Sequence, residues 1–445
     1  MVRPFWRANA IATSLMLLFA VTACGSQGSS SGGAAAQPSG GAPAAAAPTT
    51  GAAAPTTAAG ATGGSSGTVK ILSSLPMTGS SLGQTQTIVN AIKMAVEERG
   101  GKVGDLTVVY EPLDDATPAK GSWDEGKESE NANRAINDPD VVAYIGTFNS
   151  GAAKVAIPIL NRANLVMVSP ANTYPGLTKP GKGEPNEPNV YYPNGTRNYS
   201  RVVPADDLQG AVGAKWAKDL GAQRVYVLDD SELYGRGLAT VFHQEAKRRG
   251  LQVSPADKPD SIDRNASDYR SLALRVRQAN PDLVYFGGIT QNNAGKLWQD
   301  LRAALGPNVK LMGPDGIFEQ AFLDAAGEAA LNSYMTFGGV PAKNYQGKAQ
   351  DWARRYRDKY RSEPEVYAIY GYESANVVLD GIAKAGRRDR VAVRDAVMGT
   401  KDYDGALGHW SFDANGDTTL TTMSGSQVKG PKLEEVEFVT MLTGD

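Results

Sequence analysis

The chain has 445 residues, 45 Lys and Arg against 47 Asp and Glu, and a formal net charge of −2, which gives no general electrostatic case for a nucleic-acid partner. One cysteine, Cys24, and two histidines, His243 and His409, are too few and too scattered for a Cys/His zinc cluster or a disulfide framework, so neither a metal nor a cofactor is expected. A content of 21% charged and 41% hydrophobic residues is that of a globular protein, and the length suggests about two domains.

Residues 1–23 carry two positive charges, Arg3 and Arg7, then an uncharged apolar stretch from Ala10 to Ala23 that ends in small residues. That is the layout of a secretory signal, and the apolar run is short of the ~20 residues a bilayer span needs. Val21-Thr22-Ala23-Cys24 resembles the bacterial lipobox, in which the cysteine thiol is acylated and becomes the new N-terminus. Cys24 is therefore the expected lipidation site. From Gly25 to Gly67 the chain is Gly, Ser, Ala, Pro and Thr with two Gln and no charge, a composition that cannot bury a core. As a flexible leash it would reach roughly 35–40 Å on average. A lipid tether on such a leash predicts a cell-membrane location, anchored on the extracytoplasmic face.

From Thr68 onward short β-rich runs alternate with helical patterns. The runs are TVKIL (68–72), LTVVY (106–110), VVAYIG (141–146), LVMVS (165–169), RVYVLDD (224–230), LVYFGG (283–288) and VKLMG (309–313). Several are continuously apolar, as buried parallel strands require. Between them Ile88, Ala91, Ile92, Ala95 and Val96 share one helix face. The alternation predicts an α/β protein with parallel sheets covered by helices. It pauses in the Pro/Gly/Asn-rich stretch from Ala171 to Arg201, read as a passage between two lobes. Asn415-Gly416 signals a tight hairpin turn near the end. Asp413, Asn415 and Asp417 resemble the start of a calcium loop, but Thr418 and Ser424 stand where Gly and Glu are needed, so the turn reading is preferred.

In open parallel sheets ligands collect beyond the carboxyl ends of strands, where helix N-termini point free N–H groups. Three strand ends stand out. VVAYIG runs into TFNSGAAK, which places Asn149 and Ser150 at a helix start; LVMVS runs into PANTYPGLT, with Thr173; VKLMG runs into PDGIFEQAF, with Asp315. Two hydroxyls could share an anion and the carboxylate could meet a cation, although each residue taken alone is also an ordinary cap or turn.

The runs LPMTGSSLG, IGTFNSGAAKVAIPILNRANLVMVSPANTYPGLT, RVVPADDLQGAVGAKWA, VYVLDDSELYGRGLA, DYRSLALRVRQANPDLVYFGG, MGPDGIFEQAF and LGHWSFDANGD occur in this order across nearly all of 68–445. Together they resemble the leucine/isoleucine/valine-binding protein family, the type I periplasmic substrate-binding proteins of branched-chain amino-acid ABC importers. The resemblance implies two doubly wound lobes joined by a three-strand hinge, with lobe 1 formed by 68–205 plus 341–408 and lobe 2 by 206–340 plus 409–445. It also implies roles by position. Ser150 and Thr173 would hold an α-carboxylate, the Ala171 carbonyl and Asp315 the ammonium, and Tyr234 would be an aromatic wall from the second lobe. Asn149, Leu82 and Trp123 complete the expected ligand-binding set. Leu82 and Ile289 fall near family tyrosines, the added GSWDEGK segment (121–127) brings Trp123 to the cleft edge, Asp315 is one methylene shorter than glutamate, and the disulfide of some relatives is absent.

The function so implied is that of a membrane-anchored, monomeric solute receptor that closes on an amino acid or similar small polar molecule and presents it to ABC permease subunits, without catalysis. Two rivals share the fold: a ligand-sensing receptor, and a binder of amides or urea-like solutes. An enzyme of the doubly wound class would need a nucleophile with a nearby base, and neither His243 nor His409 lies near the three strand ends.

Overall fold

The computed structural model describes residues 67–443; the expected signal segment, Cys24 and the leash lie outside the described residues. Two sheets divide the chain. The first contains β1 (Gly67–Leu75), β2 (Lys102–Val103), β3 (Leu106–Asp114), and, past the small hairpin of β4 (Ala116–Thr117) and β5 (Ser122–Trp123), β6 (Val141–Gly146), β7 (Val166–Ser169) and β8 (Tyr199–Arg201). Its order is β2-β3-β1-β6-β7-β8, with β1 parallel to both β3 and β6. All six residues of VVAYIG are buried, the signature of a strand covered on both faces.

The second sheet contains β9 (Arg224–Asp229), β10 (Gln252–Ser254), β11 (Asp260–Ser261), β12 (Leu283–Gly287), β13 (Lys310–Gly313) and β14 (Tyr334–Gly338). After a separate hairpin, β15 (Tyr403–Gly405) and β16 (Gly408–Trp410), it is completed by β17 (Met423–Val428) and β18 (Val436–Leu442). The strands β9, β12, β13 and β14 are parallel, whereas β17 and β18 add antiparallel, so this sheet is mixed at one side.

Helices cover both sheets: α1 (Leu82–Glu98), α2 (Glu125–Asn137) and α3 (Ser150–Arg162) on the first, α4 (Asp206–Asp219), α5 (Leu233–Arg248), α6 (Arg270–Gln278), α7 (Ala294–Leu305) and the short α8 (Gln320–Ala326) on the second. The chain then returns, because α9 (Gly347–Tyr360), α10 (Ala368–Ala385) and α11 (Arg390–Met398) pack on the first lobe, α10 against α1 and α11 against β6 and β7. The predicted face of α1, with Ile88, Ala91, Ile92, Ala95 and Val96, is buried in this contact. Asp124 and Asp389 cap α2 and α11, each accepting from a backbone N–H in the first turn. No helix among the described residues is long and apolar enough to cross a membrane.

The chain thus passes between the lobes three times: after β8, after β14, and before β17. The stretch 171–201 is not the passage expected from its Pro/Gly content. It is an excursion of the first lobe that ends in β8, paired with β7. What folds it is buried Glu187, which accepts from the Tyr174 and Tyr191 hydroxyls and from the Glu184 N–H, while Leu177, Tyr191 and Tyr192 join the core under α3. Gly416 takes φ +89°, and Asp413 and Asp417 close the turn around it as Asn415-Gly416 predicts. Asp417 pairs with Arg201 of β8, so residues around it lie against the first lobe and the second sheet resumes only at Met423.

Candidate ligand-binding site

The two loops that follow β6 and β7 are tied to each other before they meet anything else. Ser169 Oγ accepts from the N–H groups of Ala171 (3.1 Å) and Asn172 (2.8 Å) and donates to the Thr147 carbonyl (3.1 Å). Asn172 Nδ2 reaches the Phe148 carbonyl at 3.0 Å. Behind both sits Arg201, wholly buried, which donates through Nη1 to the carbonyls of Asn172 (3.2 Å) and Tyr174 (2.8 Å), through Nη2 to Thr178 Oγ1, and through Nε to Asp417 (2.6 Å). One guanidinium therefore fixes the turn that carries Ala171 and Thr173.

Ser150 is the first residue of α3, Asn149 its N-cap, and Ser150 Oγ lies 3.4 Å from the Tyr174 N–H. Across the cleft Asp315 begins the turn after β13 and is 4% exposed. Tyr234 of α5 donates to its Oδ1 at 2.7 Å, and Tyr367, at the start of α10 in the first lobe, donates to its Oδ2. The Gly316 N–H donates to the Tyr234 hydroxyl at 3.1 Å. Asn149, Ser150, Ala171, Tyr234 and Asp315 line a single cavity between the lobes, together with Phe148, Gly151, Glu232, Ile289, Gly316 and Tyr367. None of these is basic. The cavity holds about 20 Å³, room for roughly one water. The lobes are therefore closed over it, and a solute of any size enters only when they part.

The remaining expected residues sit around this cavity without lining it. Thr173 is buried behind the turn, its hydroxyl without a well-formed hydrogen bond. Trp123 packs on the start of α3, where a Cβ on Gly151 would come within 2.5 Å of its ring, so it is a buttress to the helix end. Leu82 opens α1 and is 42% exposed.

Sequence reasoning missed Tyr367, which reaches Asp315 from the first lobe, and Asp206. Asp206, the first residue of α4, is fully buried, and its carboxyl has no well-formed hydrogen bond among the described residues, only the neighbouring Thr173 hydroxyl, which draws its pKa down against the effect of burial. Its N–H donates to the Thr173 carbonyl at 2.9 Å. Burial, and then the nearby Asp315 charge, push its carboxyl well above the usual range; Asp315 is raised as well, mainly by burial and against the pull of the Tyr367 and Tyr234 hydroxyls. The site thus joins two hydroxyl-bearing strand ends from one lobe to two desolvated carboxyl groups from the other.

The periplasmic binding protein family model matches residues 68–432. The chain belongs to that family. Among its relatives, the Leu/Ile/Val-binding protein BraC3 of Rhizobium johnstonii is 28% identical over 360 residues, covering 78% of this chain and 88% of that one. The crystal structure of the leucine-binding protein LivK of Thermotoga maritima superposes with a TM-score of 0.72 at 28% identity, over 84% of this chain and 98% of that one. A solute-binding protein of an R. palustris ABC transporter, solved with benzoate, shares the fold with a TM-score of 0.68 at 18% identity, over 85% and 98% of the two chains.

In this periplasmic binding protein the histidines lie apart from the cavity. His243, within α5, has Nε2 2.9 Å from the Pro255 carbonyl, and His409 is exposed on β16. A bare backbone also meets an aromatic ring across the lobes: a Cβ on Gly237 of α5 would lie 2.7 Å from the Tyr174 ring.

Proposed function

We propose that this chain is an extracytoplasmic lipoprotein, tethered through Cys24, that captures an α-amino acid by hinge closure and delivers it to an ABC importer. The observation that carries the reading is the facing of Ser150 and the Ala171 turn from one lobe with buried Asp315 from the other, behind which buried Asp206 adds a second acid. Helix-end donors and hydroxyls suit the carboxylate of a zwitterion, and the carboxyl pair suits its ammonium. Contacts to both lobes exist only when the lobes are closed, so the solute shifts the open/closed balance toward the closed state. A plain anion of the benzoate kind is disfavoured here, since it would approach two buried acids with no basic residue among those lining the cavity. Within this reading Ser150 holds the carboxylate, with Thr173 supporting its turn from behind and not touching the solute as expected from the sequence, Ala171 and Asp315 hold the ammonium, Tyr234 forms a wall, and the protein acts as a monomer.

Calorimetry of the protein against the common amino acids tests this directly. At least one is expected to bind more tightly than about 1 mM, some −4 kcal/mol. If no amino acid, amide or urea-like compound does so, the ligand class is wrong.

The carboxyl groups add a pH signature. Burial raises both in the closed, empty cleft, and an ammonium set against them favours their charged forms, so filling the closed cleft releases protons and affinity falls as pH drops. Titrations in two buffers of different ionisation enthalpy will give different apparent heats. Equal heats would show that no carboxyl deprotonates on binding.

A further inference from the structure

Three segments that wall the cavity each continue, within a few residues, into a second polar cluster. Ile289 leads to Gln291, Gly316 to Glu319, and Glu365 precedes Tyr367 by two positions. The first turn of α1 closes this seam from the first lobe with Gln84. Glu319, 2% exposed, accepts from Gln291 Nε2 at 3.0 Å and from Gln84 Nε2 at 3.2 Å, so the seam spans both lobes. Glu365 lies against the same turn, where a Cβ on Gly83 would stand 3.6 Å from its Oε1.

The seam has too many acceptors. Each amide gives one N–H to Glu319, and Gln84 Oε1, Gln291 Oε1 and Glu365 Oε2 are enclosed and unpartnered. Gln84 itself is only 2% exposed. The nearby bases are engaged elsewhere: Arg357 pairs with Glu363, and Lys343 donates to the Glu434 carbonyl. Burial raises Glu319 to about 7, and burial followed by the Glu319 charge raises Glu365 to about 8. A buried acceptor without a donor is costly, and a group with several N–H donors and a positive charge would relieve all three oxygens and both acids together.

We propose that this seam is a second subsite of the cleft, and that the solute carries a basic group at its far end, as lysine, ornithine and arginine do. The proposal rests on the α-amino-acid reading of the central cavity and adds the chemistry of the side chain to it. The basic end would donate to Gln84 Oε1, Gln291 Oε1 and Glu365 Oε2, with Glu319 as its counter-charge.

The test is calorimetry of the full chain against L-lysine, L-ornithine and L-arginine, with L-norleucine and L-leucine as chains lacking the basic group. At least one basic amino acid is expected to bind about tenfold or more tightly than norleucine. Glu319→Gln, which keeps shape and removes charge, is expected to weaken that amino acid about tenfold more than norleucine. If norleucine or leucine equals or exceeds every basic amino acid in the unaltered protein, the seam subsite is overturned, while the central clamp stands if those solutes still need Asp315. If no amino acid binds at all, both readings fall together, and the unaltered protein alone decides this even where a variant does not fold.

Discussion

Asp315→Asn will weaken capture of an α-amino acid by about 2–5 kcal/mol, a loss of roughly thirtyfold to several thousandfold, because it withdraws the counter-charge of a desolvated ammonium. The matching deaminated acid has no ammonium to lose, so its binding will fall far less or improve. Calorimetry on the two solutes side by side checks this, and equal losses for both would remove the ammonium role of Asp315. The same substitution spares the free protein. Folding raises the Asp315 pKa, so ionisation of this group opposes folding; that cost is absent below the unfolded pKa and grows as pH rises past it. Asparagine keeps an oxygen for one of the two tyrosine hydroxyls and carries no charge, so the urea midpoint of the solute-free variant at neutral pH will be unchanged or higher.

Arg201→Met acts through the opposite logic. Arg201 is fully enclosed, and its partner Asp417 is 5% exposed, so removing the cation takes from a buried carboxylate its closest counter-charge, with only the Thr178 hydroxyl and Lys179 at 4.0 Å left to it, and takes the Arg201 donor from three further acceptors. The expected cost is about 3–5 kcal/mol of stability, read from urea denaturation. Solute affinity will fall as well, since the turn with Ala171 and Thr173 loses the group that fixes it. A stability loss under about 1 kcal/mol would mean that water reaches Asp417 in the variant and that the pair is not the joint described above.

The strands and α1 were legible because burial writes itself into composition: VVAYIG or LVYFG can only be strands covered on both faces, and the spacing of Ile88 to Val96 marks one helix face. Ser150, Ala171, Tyr234 and Asp315 were legible as strand-end residues once the order of runs was recognised as a family resemblance, and the structure sets them around one cavity. Asp206 escaped notice because an acid in the first turn of a helix is the ordinary way to meet the helix dipole; only its lack of a well-formed hydrogen bond distinguishes it. Tyr367 and Glu365 were hidden by distance along the chain, since nothing local shows that the start of α10 returns to a turn after β13. The segment 171–201 was misread for a related reason. Proline and glycine suggested a linker, but the three donors that converge on Glu187 belong to tertiary structure and have no periodic pattern to betray them. Trp123, singled out because an added segment carries it, buttresses the start of α3, and Leu82, singled out by analogy of position, opens α1 with its side chain largely exposed.

Under the proposed delivery to an importer, the meeting of Tyr174 with the bare backbone of Gly237 has a consequence for the permease. Because a rigid ring stops against main chain, the angle at which the halves come to rest is set by the protein and not by the bulk of its cargo. Different cargoes that trigger the movement would then offer the permease one and the same outline, and selection among them must be complete before that outline forms.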